Sequence, residues 1–425
     1  MTCFTMSFID ASKPLSGYFL MKTIMVWKSA WTSVGKTGGD EMQYRDLGKT
    51  GEKVSVLGFG CMRLPVNDGK RISGDINEKE ATMLLHRAID EGVNYVDTGY
   101  HYHDSQSENF IGRALKDGYR NKVKLATKSP VYAIKKAEEF DLILNEQLNR
   151  LKTDYIDFYL MHSVSKGTWE KVVVGLELLP MAEKAKKEGK IGHIGFSFHD
   201  NEQAFYDIVN GYEGWEFCQI QFNYLNEEYQ AGLRGLKYAS SKGLGVVIME
   251  PLLGGKLANP SQKVSPIFEN AHVKKSPVQW ALDYVWDMPE VSLLLSGMNA
   301  MEQVEENLVY AEAAKAGKLS SQDKEVIAAL QKRFKEIGGV PCTRCFYCMP
   351  CPNGVDIPKN FEIYNGLFMY DSPKITKGDY IFFAHSTDNR QTAENCVGCL
   401  VCEDKCPQHI KIAATMGEIK KIFAN

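Results

Sequence analysis

The chain lacks three features that would place it in other classes of protein. It has no excess of charge of one sign, since 50 basic and 53 acidic residues leave a net charge of -3 and a pI near 6.3. Binding to nucleic acid or to an anionic membrane surface is therefore disfavoured. No run approaches the roughly 18 apolar residues of a membrane span, and the apolar stretch at 18–27 contains Lys22 and no cleavage site follows it. These absences predict a cytoplasmic protein.

Cysteine is also scarce through most of the chain, because the first 341 residues contain only Cys3, Cys61 and Cys218. With no export signal, thiols are expected to stay reduced. The 425 residues, 44% of them hydrophobic, suffice for two or three domains. Residues 1–41 match no periodic pattern and end in a glycine-rich segment. We expect them to be a disordered leader, or residues added by an upstream start codon.

The other eight cysteines lie in the last 84 residues and form two clusters: Cys342, Cys345, Cys348 and Cys351, then Cys396, Cys399, Cys402 and Cys406. The second cluster reads C-x2-C-x2-C-x3-C-P, the spacing of a bacterial-type [4Fe-4S] ligand run. The first cluster is one residue shorter between its last two cysteines. Both runs continue alike, with residues 355–357 matching 410–412, which indicates an internal repeat.

In such runs the fourth cysteine binds the neighbouring cube. Crossed ligation then predicts one cube on Cys342, Cys345, Cys348 and Cys406, and the other on Cys396, Cys399, Cys402 and Cys351. The alternatives are two zinc sites of four thiolates each, or disulfides. Zinc sites usually combine two separated C-x2-C pairs rather than unbroken triplets, so the spacing favours iron-sulfur clusters.

Short apolar runs alternate with helical patterns through the middle of the chain, and they predict eight strands: 54–60, 93–97, 123–128, 155–162, 191–197, 217–222, 244–249 and 291–296. Continuous apolar runs of this length suit strands that are buried on both faces of a parallel sheet. Eight strand-helix units over about 260 residues are typical of a TIM (β/α)8 barrel. A Rossmann fold is the competing architecture, but no G-x-G-x-x-G follows the first strand.

Barrel enzymes carry their chemistry at the carboxyl ends of the strands. Asp97 ends the second predicted strand, Lys128 the third and His162 the fourth. These side chains are therefore expected to share one end of the barrel.

The residues around them resemble the aldo-keto reductase family. Residues 97–102 (DTGYHY) and 107–115 (SENFIGRAL) are similar to the family segments D-T-A-x-x-Y and S-E-x-x-L-G-x-A-L. The similarity continues through 126–128 (ATK), 157–162 (DFYLMH) and 189–197 (GKIGHIGFS), and it covers about residues 42–313. The resemblance implies NAD(P)H-dependent reduction of a small carbonyl substrate, or oxidation of the corresponding alcohol.

The resemblance also implies a catalytic tetrad of Asp97, Tyr102, Lys128 and His162. A phenol is a poor acid at neutral pH, and a nearby ammonium lowers its pKa. Lys128 would supply this charge, Asp97 would hold Lys128, and Tyr102 would protonate the carbonyl oxygen, assisted by His162. The flanking His101 and His103 lack further metal ligands at suitable spacing, so we interpret them as pocket-lining or solvent-facing residues.

Cofactor positions implied by the resemblance match less fully: Ser197, Gln219, Asn223, Met249, Gly297 and Asn307. Met249 stands where an aromatic ring commonly stacks on nicotinamide, so a thioether contact would replace it. Asn299 and Gln303 stand where basic residues usually bind the 2'-phosphate of NADP. Without a cation there, charge-assisted pairing is lost, which favours NAD or a loose choice of cofactor.

Residues 316–339 are predicted to be a helical connector, and 340–425 a ferredoxin-like domain. The 44 residues between Cys351 and Cys396 are long for a compact ferredoxin and include helical patterns around 361–370. This tail resembles the α-helical two-cluster domains attached to oxidoreductases, so the chain is similar to an iron-sulfur branch of the aldo-keto reductases.

Hydride transfer moves two electrons, whereas each cube passes one. The clusters therefore deliver single electrons to an acceptor in the barrel, dock a ferredoxin or other redox partner, or only stabilise the tail. Two functions stay open: an NAD(P)-dependent oxidoreductase, or an iron-sulfur electron-transfer protein whose barrel serves as a docking or regulatory body.

Overall fold

The computed structural model describes residues 41–70, 72–342 and 346–423. The predicted leader, apart from its last residue, and Cys345 lie outside this part of the chain. The strands are β1 (Tyr44–Asp46), β2 (Lys53–Ser55), β3 (Leu57–Gly60), β4 (Tyr95–Asp97), β5 (Lys124–Ser129), β6 (Ile156–Val164), β7 (Ile191–Phe198), β8 (Phe217–Gln221), β9 (Gly245–Met249) and β10 (Leu293–Ser296).

Strands β3 to β10 form a closed barrel in which every strand is parallel to its neighbours and β10 pairs with β3. The predicted TIM barrel and its eight strands are confirmed. The first strand is shorter than the predicted 54–60, because Lys53–Ser55 pairs with Tyr44–Asp46 in an antiparallel hairpin. The hydroxyl of Ser55 donates to the carbonyl of Leu57, where the chain turns from the hairpin into the barrel.

This hairpin closes the amino-terminal end of the barrel. Leu47 and Val54 are fully buried and belong to the same core cluster as residues of the barrel interior. Gly48 has a φ of +53°, and a Cβ there would lie 2.1 Å from the backbone nitrogen of Gly245. Only glycine permits this approach. Function is therefore confined to the opposite, carboxyl end of the strands.

The helices in chain order are α1 (Glu78–Asp90), α2 (Tyr102–Ser105), α3 (Ser107–Ala114), α4 (Glu139–Leu151), α5 (Lys166–Thr168), α6 (Leu178–Lys187), α7 (Glu202–Asn210), α8 (Gly232–Ser241), α9 (Ser265–Glu269), α10 (Pro277–Trp286), α11 (Met301–Glu312), α12 (Ser321–Ile337), α13 (Ile357–Met369), α14 (Pro373–Ser386), α15 (Val401–Asp404) and α16 (Ile412–Phe423). A π-helical segment spans Trp169–Val174, and 3-10 turns lie at Gly48–Thr50, Cys61–Arg63, Tyr119–Lys122, Leu253–Ala258 and Ala393–Asn395.

Apolar side chains from alternating strand positions fill the barrel interior. Phe158 lies at its centre, with ring centroids 5.4 Å from Tyr95 and 5.2 Å from Phe217. A second, larger core packs the outer face of the strands against the helices. The barrel interior is filled by side chains, as in other barrels of this kind. The polar side chains at the carboxyl end of the strands therefore lie directly above packed apolar residues.

Helix α12 begins with a capping box in which Ser320 and Asp323 exchange hydrogen bonds, and it packs Leu330 and Phe334 into the larger core. The tail then has its own core, built from α13, α14 and α16. Helices α13 and α16 both begin six residues after the cysteine of a C-P pair, at Ile357 and Ile412. The internal repeat seen in the sequence is thus also a repeat of structure.

Within the described ranges, no helix combines the length and the apolar character that crossing a membrane requires.

Candidate functional site

Lys128 is the centre of the polar cluster at the carboxyl end of the barrel. Its side chain is 1% exposed, and its ammonium lies 2.6 Å from Asp97 Oδ1. It also donates to the carbonyl oxygen of Thr98 at 2.6 Å, and it lies 4.8 Å from the centre of the Tyr102 ring. Two of its three donors are thus bonded to Asp97 and Thr98, and its charge acts on the Tyr102 phenol. The predicted contacts among Asp97, Tyr102 and Lys128 are present.

The electrostatics of this cluster differ from the expectation at one point. Burial would lower the pKa of Lys128, but Asp97 and Tyr102 together raise it, so the ammonium stays charged. For Tyr102, burial raises the pKa and the Lys128 ammonium lowers it, and the net direction is upward. The predicted lowering by Lys128 is real but smaller than the effect of desolvation, so Tyr102 rests as a protonated phenol.

Tyr102 stands directly before an unusual turn. His103, Asp104 and Ser105 all have positive φ, at 52°, 51° and 66°, a region that L-residues seldom adopt. The turn is anchored from both sides of His103, since its Nε2 accepts from the Leu64 amide at 3.1 Å and its Nδ1 lies 2.7 Å from the Ser73 carbonyl.

His103 is therefore fully buried, and its prediction as a pocket-lining or solvent-facing residue was wrong. Asp104 adds a third anchor, because its Oδ2 accepts from the Gly74 amide at 2.7 Å. The prediction for His103 was wrong because the positive-φ turn at 103–105 directs this side chain inward, and residue types alone do not reveal such a turn. His101, by contrast, is exposed as expected.

A second buried network lies behind Lys128. Glu108 is fully buried and accepts from the Thr127 hydroxyl at 2.6 Å and from Gln147 Nε2 at 2.6 Å. Gln147 also donates to the backbone carbonyl of Lys128 at 3.1 Å, and Arg150 pairs with Glu108 at 3.2 Å. These contacts fix the backbone of β5 and hence the position of the Lys128 Cα atom.

His162 completes the cluster, with its ring 5.7 Å from that of Tyr102. Burial and then the positive charge of Lys128 hold its pKa well below the usual range, so the imidazole is neutral. Tyr132 was not identified from the sequence, yet its ring lies 5.5 Å from His162 and its hydroxyl 2.9 Å from His101 Nδ1. Tyr132 follows the third barrel strand, and this position could have identified it as a candidate site residue from the sequence.

The predicted cofactor residues divide into two groups. Ser197 and Gln219 are register partners on β7 and β8, and both are buried. The Oε1 atom of Gln219 is buried without a hydrogen-bond partner in the described structure. An unpaired buried acceptor is costly, and the amide group of a nicotinamide has the N–H donors to satisfy it. These two residues fit the cofactor.

Asn223 is committed to the local fold, since its Oδ1 caps the Leu225 and Asn226 amides and its Nδ2 donates to the carbonyl of Glu250. Asn307 is likewise turned inward, donating to Ser296 Oγ at 3.0 Å. Met249 ends β9 and is partly exposed at the rim.

Gly297 follows β10, and a Cβ there would lie 3.5 Å from the Cβ of Arg63. Arg63 was not identified from the sequence, and it brings a positive charge to this edge. Asn299 and Gln303 are exposed, and the Gln303 side chain accepts from the Asn299 amide at 2.9 Å. The predicted 2'-phosphate positions are therefore neutral, while a cation stands near the neighbouring strand end.

In the tail, four thiols line one cavity: Cys351, Cys396, Cys399 and Cys402. They are the set that crossed ligation predicts for the second cube. Burial, and then its neighbours Cys396, Cys351 and Cys399, raise the pKa of Cys402 to about 11. The four sulfurs therefore interact electrostatically before any ligand neutralises them.

Four thiolates are a donor set that suits a [4Fe-4S] cube or a single zinc ion. A cube takes one thiolate on each iron, so its ligands surround a cavity. Lys420 donates to the carbonyl of Cys396 at 2.7 Å, which places a positive charge beside the thiolates.

The first cluster is described in part. Cys342, Cys348 and Cys406 are half-buried and pack against the same tail core, while Cys345 lies outside the described residues. Their shared ligation stays a prediction.

A barrel with a buried lysine-aspartate pair beside a tyrosine, followed by a cysteine-lined tail, defines a barrel oxidoreductase with an iron-sulfur domain. The model of the "Aldo/keto reductase family" matches residues 56–331, and that of the "4Fe-4S dicluster domain" matches residues 341–410. The chain belongs to the aldo/keto reductase family and is an NAD(P)-dependent oxidoreductase with a 4Fe-4S-type domain.

Curated relatives agree with this assignment. L-galactose dehydrogenase of Arabidopsis thaliana is 30% identical over 286 residues, which are 63% of this chain and 88% of the relative. The uncharacterized oxidoreductase YrpG of Bacillus subtilis is 26% identical over 70% of this chain and 98% of its own. These matches support the oxidoreductase over the electron-transfer alternative.

Solved structures show the same fold. Aldo-keto reductase AKR11C1 from Bacillus halodurans, in its holo form, superposes with a TM-score of 0.56 at 23% identity, covering 68% of this chain and 96% of its own. An aldo-keto reductase from Klebsiella pneumoniae in complex with NADPH gives a TM-score of 0.55 at 23% identity, covering 69% and 96%.

Proposed function

We propose that this chain transfers hydride reversibly between NAD and a small carbonyl or alcohol substrate, with Asp97, Tyr102, Lys128 and His162 as its catalytic residues. The observation that carries the proposal is the buried Lys128 ammonium, which contacts both Asp97 and Tyr102. Four residue types suited to proton transfer at the carboxyl end of one barrel rarely serve packing alone.

In the proposed mechanism, bound nicotinamide supplies or accepts the hydride. Tyr102 gives its phenolic proton to the carbonyl oxygen during reduction and takes it back during alcohol oxidation. Lys128 stabilises the phenolate that forms, because the fixed ammonium lies beside it. Neutral His162 orients the carbonyl by hydrogen bonding, and Asp97 prevents Lys128 from moving away as the charge shifts.

Ser197 and Gln219 hold the nicotinamide amide in this proposal, supported by their shared register and by the unpaired Gln219 oxygen. Met249 and Gly297 border the cofactor. Asn223 and Asn307 support the cofactor site indirectly. The Asn223 side chain donates to the carbonyl of Glu250, and the Asn307 side chain donates to Ser296 Oγ.

The neutral side chains of Asn299 and Gln303 support NAD as the preferred cofactor. The positive charge of Arg63 at the adjacent edge supports some acceptance of NADP as well. Substrates with hydroxyl groups suit the polar rim formed by His101 and Tyr132, and the relationship to L-galactose dehydrogenase supports such a substrate class.

For the tail we propose two [4Fe-4S] cubes with the crossed ligation given above, in a domain spanning 340–425 that follows a barrel at 42–315 and a connector at 316–339. Such cubes pass one electron each. Their exposed edge at Cys399 supports exchange with a ferredoxin or similar redox partner. The cytoplasmic location belongs to the same proposal, since thiolate ligands stay reduced in that compartment.

The decisive experiment replaces the proposed proton donor. Tyr102→Phe should lower carbonyl reduction with NADH by about 10²- to 10⁴-fold, with the Kd for NADH within twofold of wild type. Tyr119→Phe is the matched control, since Tyr119 bonds to Asp90 at the opposite end of the barrel, and it should retain full activity. Turnover by Tyr102→Phe within tenfold of wild type contradicts the proposed mechanism.

The redox role of the tail is tested by anaerobic titration with NADH, following nicotinamide absorbance, cluster absorbance and EPR together. Growth of a reduced-cluster EPR signal would indicate electronic coupling between nicotinamide and the cubes. If NADH binds while the cubes remain oxidised, the coupling is refuted, and dithionite-reduced cubes should then be assayed with a ferredoxin.

A further inference from the structure

The loop after the seventh barrel strand joins the barrel to the iron-sulfur tail. We call residues 250–264 the seventh loop; it runs from the end of β9 to α9. At its start, the carbonyl of Glu250 accepts from Asn223, and Met249 precedes it. Barrel enzymes frequently bind phosphate groups with the loops after strands seven and eight. The start of this loop therefore borders the proposed cofactor site.

The middle of the seventh loop has little stiffness of its own. Leu253, Gly254 and Gly255 have φ of 48°, 68° and 91°, and a Cβ at Gly255 would meet no described heavy atom within 4 Å. Glycines lose the most conformational freedom when a loop becomes ordered. Contacts from outside the loop add to its own backbone hydrogen bonds and to the burial of Leu257 in the larger core.

Those contacts come from the tail. Lys256 Nζ lies 2.7 Å from Asp379 Oδ2 on α14, with side chains only 12% and 25% exposed. The same ammonium lies 5.6 Å from the centre of the Tyr370 ring. Because this ion pair is largely shielded from water, it is stronger than a surface pair.

Backbone pairing extends the junction. Pro260 and Tyr370 form an antiparallel bridge, the Ser261 amide donates to the Met369 carbonyl at 3.2 Å, and the Asp371 amide donates to the Asn259 carbonyl at 3.1 Å. Tyr370 is 6% exposed and belongs to the core of the barrel. The seventh loop is therefore fastened to the tail through Lys256 and through residues 259–261.

We propose that Asp379 is a positioning residue for nicotinamide binding, which it controls by fixing Lys256 and the seventh loop from the iron-sulfur domain. The inference rests on the proposed function, because it concerns the affinity of the same cofactor site. It makes nicotinamide affinity dependent on an ordered tail, even when the tail passes no electron to the barrel.

The test measures the Kd for NADH by fluorescence titration of the cluster-loaded full chain. Asp379→Asn should raise this Kd by about 5- to 20-fold, the usual range for coupling between distinct sites. Iron content and kcat at saturating NADH should stay within twofold of wild type, whereas the KM for NADH rises. Asp388→Asn is the control, since Asp388 is an exposed carboxylate of the tail that pairs with Arg390, and its Kd should be unchanged.

The exchange variant Lys256→Asp with Asp379→Lys separates the ion pair from a direct contact of Lys256 with the cofactor. Recovery of the wild-type Kd to within threefold supports positioning. No recovery in the exchange variant, or an Asp379→Asn Kd within twofold of wild type, overturns the inference. If Asp379→Asn loses iron, Lys256→Gln breaks the same pair from the barrel side and is judged by the same limits. A wild-type chain that binds no nicotinamide refutes the proposed function instead.

Discussion

The barrel site and the tail site hold their reactive groups in opposite ways. Lys128 is buried in the barrel, where its ammonium donates to Asp97 and Thr98 and lies beside the Tyr102 ring. The tail thiols are half-buried or exposed, and beside them Val397 is 69% and Leu400 51% exposed. Protein contacts alone fix the first site, whereas the second needs a ligand that draws its thiols together.

The hydrophobic cores of the barrel and the tail differ in a corresponding way. The barrel is closed by β10 against β3 and packed on both faces of its sheet, while the tail core is small. Small domains with limited cores commonly depend on metals or disulfides for stability. We therefore expect changes in the barrel site to act on chemistry and local stability, and changes in the tail site to act on folding of the tail.

The largest effect is expected from Lys128→Met. It leaves Asp97 buried beside a methionine, and breaking a buried pair in this way costs about 3–5 kcal/mol of unfolding free energy. Activity should fall by at least about 10³-fold, because the phenolate of Tyr102 loses its stabilising charge. Urea denaturation monitored by circular dichroism and an NADH assay measure both effects.

Lys122→Met provides the comparison, since Lys122 pairs with Asp90 at an exposed position, where ion pairs contribute little to stability. Adding Asp97→Leu to Lys128→Met should restore part of the stability and none of the activity. If Lys128→Met is as stable as Lys122→Met, the buried pair does not have the energetic role assigned to it.

Removal of iron is expected to affect the tail and spare the barrel. After anaerobic chelation, the thiols lose the iron that links separate segments of the tail to one another. Protease cleavage should then appear within 340–423 while 42–315 stays resistant, as judged by mass spectrometry of the fragments. Equal resistance of both regions with and without iron would mean that the tail core is sufficient without its cubes.

Paired cysteine replacements test which thiols share a cube. The wild-type chain should hold about eight iron atoms, four in each cube. Cys351→Ser with Cys402→Ser should lose about four, no more than either single replacement, because both thiols line one cavity. Cys351→Ser with Cys406→Ser should lose nearly all. Equal iron loss in the two double variants, measured with sulfide content, would refute the crossed ligation.

Much of the fold was predictable because its signals are local. The eight barrel strands are continuous apolar runs, and Asp97, Lys128 and His162 stand at strand ends. Tyr102 was assigned from the resemblance to the aldo-keto reductases. The tail repeat was predictable for the same reason, since the spacing of its cysteines and the starts of α13 and α16 are set by sequence distance.

What the sequence did not reveal depends on contacts between distant segments. The Lys256–Asp379 pair joins residues more than 100 positions apart, and neither residue type is unusual on a loop or a helix. Tyr132 reaches His162 only because neighbouring strands end at one level. The end of β2 was merged with the first barrel strand, β3, because only Val56 separates the two.

The smallest effect concerns His103, which the sequence assigned to the pocket and the fold uses as an anchor. Burial lowers the pKa of His103, so the unfolded chain binds more protons below about pH 6.5, the ordinary histidine value. The stability from neutral His103 is complete above that pH and is lost as the pH falls toward the folded-state pKa.

His103→Gln should cost about 1 kcal/mol at pH 7 through weaker bonds to Leu64 and Ser73. Its urea midpoint should then fall less than that of wild type between pH 7 and pH 5. A parallel decline of the two midpoints would remove His103 as the titrating anchor, and an unchanged kcat would show that the left-handed turn positions Tyr102 without it.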